Sequence, residues 1–238
     1  MHQIEVDGFV VDVVRKNIKN LHLAVYPPNG RIRVAAPLLL DDEAVRMAVI
    51  TRLAWIRRQQ MKFQGQDRQT KREYVSGESH YFQGARYRLN VIEQSQPNKV
   101  VLRNNHFINL YTRPASTTEQ RRRVMMEWYR VYMKSIIPNL IAKWEKVVDI
   151  SVSGWNVREM KTRWGTCNLK TGRILLNLEL AKKSPRCLEY VVVHEMVHLL
   201  ERLHNDRFRA LMTQFYPQWQ LVRDELNREP LAHEDWDY

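Results

Sequence analysis

Cysteine is scarce in this chain: of 238 residues only Cys167 and Cys187 are cysteines, too few for a disulfide framework. No apolar run is long enough to span a bilayer, and the start, Met1-His-Gln-Ile-Glu-Val-Asp-Gly8, lacks the features of a secretion signal. These absences lead us to expect a cytoplasmic protein without membrane association. Acidic residues are outnumbered, 26 Asp and Glu against 38 Lys and Arg, for a net charge of +12. The imbalance is uneven. Residues 1–75, 76–150 and 151–188 are each basic, whereas Glu189 to Tyr238 is net acidic and ends Glu234-Asp-Trp-Asp-Tyr238. A basic body suits nucleic acid or an acidic protein as partner, and serves equally well as a solvated surface. No nucleic-acid-binding module accompanies it, and no internal repeat or low-complexity tract stands out.

Strand and helix signals alternate along the chain. Ile4 to Val14 alternates around the turn signal Asp7-Gly8, Leu21 to Tyr26 is apolar, and Arg31 to Ala36 alternates beyond a turn at residues 27–30. Together these predict an antiparallel sheet. Asp41-Asp42 offers a helix cap, and Val45, Val49, Leu53 and Ile56 are spaced for one helix running to about Phe63. A polar loop at 64–71 leads to a second β region. In it, Val100 to Leu102 and Phe107 to Tyr111 read as a hairpin across Asn104-Asn105, residues that tolerate a left-handed turn. Pro114 to Thr118 marks the clearest boundary, and a long helix follows to about Val147, with Pro138 as a candidate kink. Arg121 to Arg123 near its start is a candidate phosphate contact or an exposed helix face. The expected division is therefore a β-rich portion over 1–115, carrying one helix, and a second portion over 116–238.

The chemistry lies in Tyr190-Val-Val-Val-His194-Glu195-Met-Val-His198, followed by His204. Helical residues four apart lie roughly 40° apart around the axis and one turn along it, so His194 and His198 project from one face. Glu195 stands beside an ion held there, placed to take a proton from a metal-activated water. Zinc, with three protein ligands and one open position, suits such a site best. His204 would be rotated by roughly 120° from His198 on a straight helix, so the chain must turn after Leu200. No glycine eases that turn; Asn205 and Asp206 could break the helix and cap the next. Glu201 and Glu225 compete with His204 as third ligand. Cys167 reads as a small buried residue, with a reactive thiol or a fourth ligand as alternatives.

Two strands, Val152 to Val157 and Arg173 to Leu180, flank a loop dense in polar and aromatic residues, Met160-Lys-Thr-Arg-Trp-Gly-Thr-Cys167. Loops held between rigid strands commonly carry specificity. Arg163, Trp164 and Asn177 are candidate substrate-binding residues. Ser184-Pro185 suits the start of the histidine helix. The tail from Leu231 is a candidate cover for the basic body.

Met160 to Cys167, Ile174-Leu-Leu-Asn177, Tyr190 to His198, His204 and Phe208 resemble the YgjP-like (DUF45) metallopeptidases, relatives of the SprT-like zincins. Upstream, Asp7-Gly8, the run from Pro28 to Pro37 and Trp55-Ile56 fit as well, so the resemblance covers nearly the whole chain. Thr166 stands where serine is usual, and Leu203-His204-Asn205 replaces a more common Asn-His-Ser. The resemblance implies an α+β fold with a zincin-like catalytic core after the β-rich portion. It also implies Zn2+ at His194, His198 and His204, with Glu195 as general base. Arg173 to Leu180 would be the sheet edge that pairs with an extended peptide. The expected function is hydrolysis of peptide or protein substrates. The alternatives are a DNA-associated SprT-like protease acting on DNA-bound proteins, and a non-catalytic zinc module closed by a fourth protein ligand.

Overall fold

Asp7 and Gly8 both adopt positive φ and close the first hairpin, β1 (His2–Val6) against β2 (Phe9–Lys16). The computed structural model describes residues 2–26, 29–64, 72–160 and 163–228. Part of the turn expected at 27–30, most of the loop at 64–71, residues 161–162 and the tail from 229 lie outside the described residues. A second hairpin pairs β3 (His22–Tyr26) with β4 (Arg31–Pro37), and β2 and β4 join in parallel, giving the order β1-β2-β4-β3. The sheet is therefore mixed, not antiparallel as expected. Alternation alone reports which face is buried, and not which way a neighbour runs.

The helix expected from Asp41 divides into α1 (Asp42–Ile50), capped by the Asp41 carboxylate on Ala44 N, and α2 (Leu53–Gln64). At the break the Thr51 hydroxyl donates back to the Ala48 carbonyl at 3.1 Å, a local bond that competes with helix continuation. Val11, Val13, Ile32, Val34, Val45, Val49 and Ile56 form a closed core. Each such side chain contributes roughly 1.5–3 kcal/mol on burial.

A second sheet repeats the first. β5 (Ser79–Phe82) and β6 (Ala85–Glu93) form a hairpin, as do β7 (Lys99–Arg103) and β8 (Phe107–Thr112); β6 and β8 run parallel, and the order is β5-β6-β8-β7. Asn104 and Asn105 both take positive φ, as their residue type suggested. Each sheet is followed by helix, so the chain holds a topological repeat that its amino acids do not display. Identical pairing needs only matched alternation and turns, which many residue choices satisfy.

The chain forms two compact units, Met1–Arg68 and Gln69–Tyr238, whereas residue type suggested a boundary at 115/116. That position is the turn before α3 (Thr118–Val148), and it lies inside the second unit because α3 packs on β7 and β8. α3 opens with a capping box between Thr117 and Gln120. It buries Met125, Tyr129, Met133, Ile137, Ile141, Trp144 and Val148 along one stripe, and continues through Pro138. Within this basic run Arg122 pairs with Glu159 and Arg123 with Glu119.

Three further strands and three helices complete the second unit. β9 (Gly154–Arg158) and β10 (Gly165–Asn168) flank β11 (Arg173–Asn177), parallel and antiparallel to it respectively. A 3-10 turn at Leu178–Lys182 leads to α4 (Pro185–Val197), which packs against α3, β10 and β11. α5 (Asp206–Phe215) and α6 (Trp219–Arg228) pack on α4. The architecture is α+β, as expected. No described helix is long and apolar enough to cross a membrane.

Candidate metal centre

α4 is apolar almost all round; Cys187, Leu188, Tyr190 to Val193, Met196 and Val197 are buried in the core. A helix so enclosed cannot hold an unpartnered polar group cheaply. It carries His194, the buried Glu195, and His198 at its C-cap.

After His198 the chain turns without glycine. Leu199 and Leu200 bond back to Met196 and Val197 in 3-10 fashion, and no described residue from His198 to Asn205 has positive φ. The Glu201 carboxylate accepts from the Leu203 amide at 3.1 Å, and Asn205 caps α5 through Phe208 N. Bonding to that amide holds the Glu201 carboxyl below its usual range. Glu201 is thus part of the turn that delivers His204.

The three imidazoles converge. One ring nitrogen of each of His194, His198 and His204 lies within 4.8 Å of the others, and among the described residues no other set of three potential ligands does so. Nε2 of His204 and Nε2 of His194 face each other at 3.0 Å. Two ligands of a tetrahedral ion with bonds of about 2.05 Å stand about 3.3 Å apart, so the donor set fits a divalent cation. The Nδ1 atoms of His198 and His194 have other partners. His198 Nδ1 donates to the Glu201 carbonyl at 3.1 Å, leaving Nε2 as the free lone pair, and His194 Nδ1 faces the Tyr190 hydroxyl at 3.4 Å. Burial, then the neighbouring imidazoles, pushes His194 down to about 3, which keeps it in the neutral form that binds metal. Phe208, fully buried, packs on all three rings with centroids 4.7–5.0 Å away. The family resemblance included Phe208, but nothing in the chain showed that it packs on the imidazoles.

Glu195 is buried, which raises its carboxyl to about 8 against the opposing charge of Arg163. A divalent cation beside it acts in the same direction as Arg163. Gly165 sits directly on this carboxylate: a Cβ there would lie 2.7 Å from Oε1 and 2.8 Å from Cγ. Cys167 is half-buried, and burial with the Glu195 charge raises its thiol to about 11. It stands outside the imidazole cluster. Glu225 lies elsewhere, accepting from Ser184 Oγ at 2.9 Å and pairing with Arg186 at the start of α4. Burial alone would raise its carboxyl, but those bonds hold it below its usual range.

A cleft of about 570 Å³ opens over the imidazoles, and Arg163 and Trp164 line it with Gly165, Tyr190 and Glu195. Asn177 does not reach it. Fully buried, its amide donates to the Met160 and Arg163 carbonyls, both at 2.8 Å, and accepts from Met160 N and Glu179 N. Both donors and both acceptor positions are thereby used, so Asn177 fastens the loop before β10 and has nothing left for a substrate. We expect Asn177→Ala to cost about 3–5 kcal/mol by leaving backbone groups unpaired, a fall in Tm of roughly 6–15 °C. Thermal circular dichroism tests this, and an unchanged Tm would refute it.

Residues 19–229 match the family model described as YgjP-like, metallopeptidase domain. This chain belongs to the YgjP-like metallopeptidase family. A YgjP-like metallopeptidase is a hydrolase of peptide or protein substrates, and the family implies a divalent metal. Comparison with curated proteins finds no match. Among solved structures, the zymogen of Pyrococcus abyssi abylysin is similar over 38% of this YgjP-like chain and 90% of its own, at 17% identity and a TM-score of 0.36. The zymogen of Methanocaldococcus jannaschii jannalysin is similar over 38% and 92%, at 16% identity and a TM-score of 0.34.

Proposed function

We propose that the chain is a zinc-dependent peptidase whose ligands are His194, His198 and His204 and whose general base is Glu195. The convergence of three imidazoles, with His198 oriented by a backbone carbonyl, carries this reading. Three neutral imidazole donors suit zinc, and Cys167 standing outside the cluster supports a coordination position left open for chemistry. When bound, the ion supplies Lewis-acid polarisation of the scissile carbonyl and acidifies a water.

The remaining work falls to side chains and backbone. Glu195 takes the proton of the attacking water and passes it to the leaving amine. Its burial and the Gly165 contact fix the carboxylate in one place. The peptide would lie along β10. β11, expected as the edge, is paired on both sides, whereas β10 is an outer strand and lines the cleft through Gly165, Thr166 and Cys167. Main-chain pairing with β10 would accept varied sequences. Arg163 and Trp164 would meet the substrate's side chains.

Protein purified without chelator is expected to carry about one zinc per chain, as a three-ligand site requires. Chelation should abolish cleavage of casein or a peptide library, and stoichiometric zinc should restore it. Cleavage that persists in metal-free protein would overturn the reading.

A further inference from the structure

The charges around the cleft are unequal. Arg163, Arg202 and Arg223 line it, and Glu195 is its one carboxylate among the described residues. Arg163 stands on the segment leading into β10, close enough to Glu195 to act on its carboxylate. Arg202 lies on the turn between His198 and His204. Both are exposed, and Arg163 has the Glu195 carboxylate as a charged neighbour. Arg223 differs: Trp219 holds its guanidinium at 5.0 Å from the ring centroid and Asp224 neutralises part of its charge. Two exposed cations on separate walls therefore flank the reacting centre. A guanidinium presents planar paired donors that match a carboxylate.

We propose that the cleft selects acidic peptide segments, with Arg163 and Arg202 as the residues that determine this specificity. The proposal rests on the peptidase reading of the same cleft and names its substrate class. A peptide along β10 would pass Arg163 where that segment enters the strand, and would pass Arg202 beyond the imidazoles. Aspartate or glutamate side chains would replace water on both guanidinium groups. A lysine-bearing peptide would instead face like charge at both, so discrimination comes from repulsion as well as attraction. Exposed pairs are individually weak, about two- to fourfold each, and two of them plus the field of the cleft should give about a tenfold preference.

The test uses the full chain, zinc-loaded, carrying Glu195→Gln so that bound peptide survives. Fluorescein-labelled peptides rich in Glu are compared with matched Gln and Lys versions by anisotropy, at low and high salt. The Glu peptides should bind about tenfold tighter than the Gln versions, with the advantage shrinking as salt rises. Arg163→Glu with Arg202→Glu should reverse the order in favour of the Lys peptides, a gain that misfolding cannot produce. Lysine at both positions should keep the acidic preference. Equal binding of Glu and Gln peptides, or an order unchanged by the charge reversal, would overturn the proposal while leaving peptidase activity intact. Selective binding of Glu peptides without cleavage of any peptide by the wild-type chain would instead support this ligand class and overturn the peptidase reading.

Discussion

His204→Ala should reduce zinc affinity by more than about 100-fold, a larger loss than the 10–100-fold usual for residues that only orient ligands. His204 is exposed and lies on a turn held by Glu201 and Asn205, so the variant should fold. Its far-ultraviolet spectrum should match that of the wild type, while metal content measured by mass spectrometry falls well below one per chain. Zinc binding should also separate the two thermally. A ligand at 1,000 times its Kd adds about 4 kcal/mol to stability, so wild-type Tm should rise on adding zinc and that of His204→Ala should not. Glu195→Gln is the companion variant and should keep its zinc. Full metal content in His204→Ala would mean that the ligand set is wrong.

Gly165→Ala should cut kcat by about 100-fold with zinc retained, because a displacement near 1 Å costs about that much in rate. The added methyl would fall 2.7 Å from Glu195 Oε1 and 3.0 Å from Cδ. The carboxylate is buried and its helix is packed on several sides, so it cannot swing aside as a surface side chain would. Overpacking of this kind costs roughly 1–3 kcal/mol in stability, and the folded fraction should stay high. Glu195→Gln, which removes the base outright, should lose about 1,000-fold. The two variants together separate position from chemistry. Wild-type kcat in Gly165→Ala would show that the glycine does not set where Glu195 stands.

Much of the site was legible in the chain because helical spacing is a strong constraint. His194 and His198 had to share a face, and Asn205 and Asp206 offered a cap for the helix after the turn, a role Asn205 takes. The route to His204 was less legible, since the Glu201 side chain closes the turn and no positive φ is needed. β10 was read as part of a loop because four residues, Gly165-Thr-Cys-Asn168, make too short a run to show alternation. The family resemblance had put the sheet edge at Arg173 to Leu180, and β10 pairs along that strand. Asn177 was misassigned for a related reason: a polar residue beside a site can equally serve the backbone, and only hydrogen-bond geometry separates the two uses. In the first unit, strand positions were legible and the parallel join of β2 to β4 was not, because pairing direction is set by the return path of the chain.

The proposed ligands come from one short segment, His194 to His204, whereas the glycine that seats Glu195 belongs to a strand much earlier in the chain. Gathering the imidazoles closes only a small loop, but bringing β10 onto α4 closes a long one and carries the greater entropic cost. The two capacities therefore part company under partial denaturation. On the proposed ligand set, loosening β10 from α4 should end catalysis first, with metal retained until the local turn at Glu201 melts.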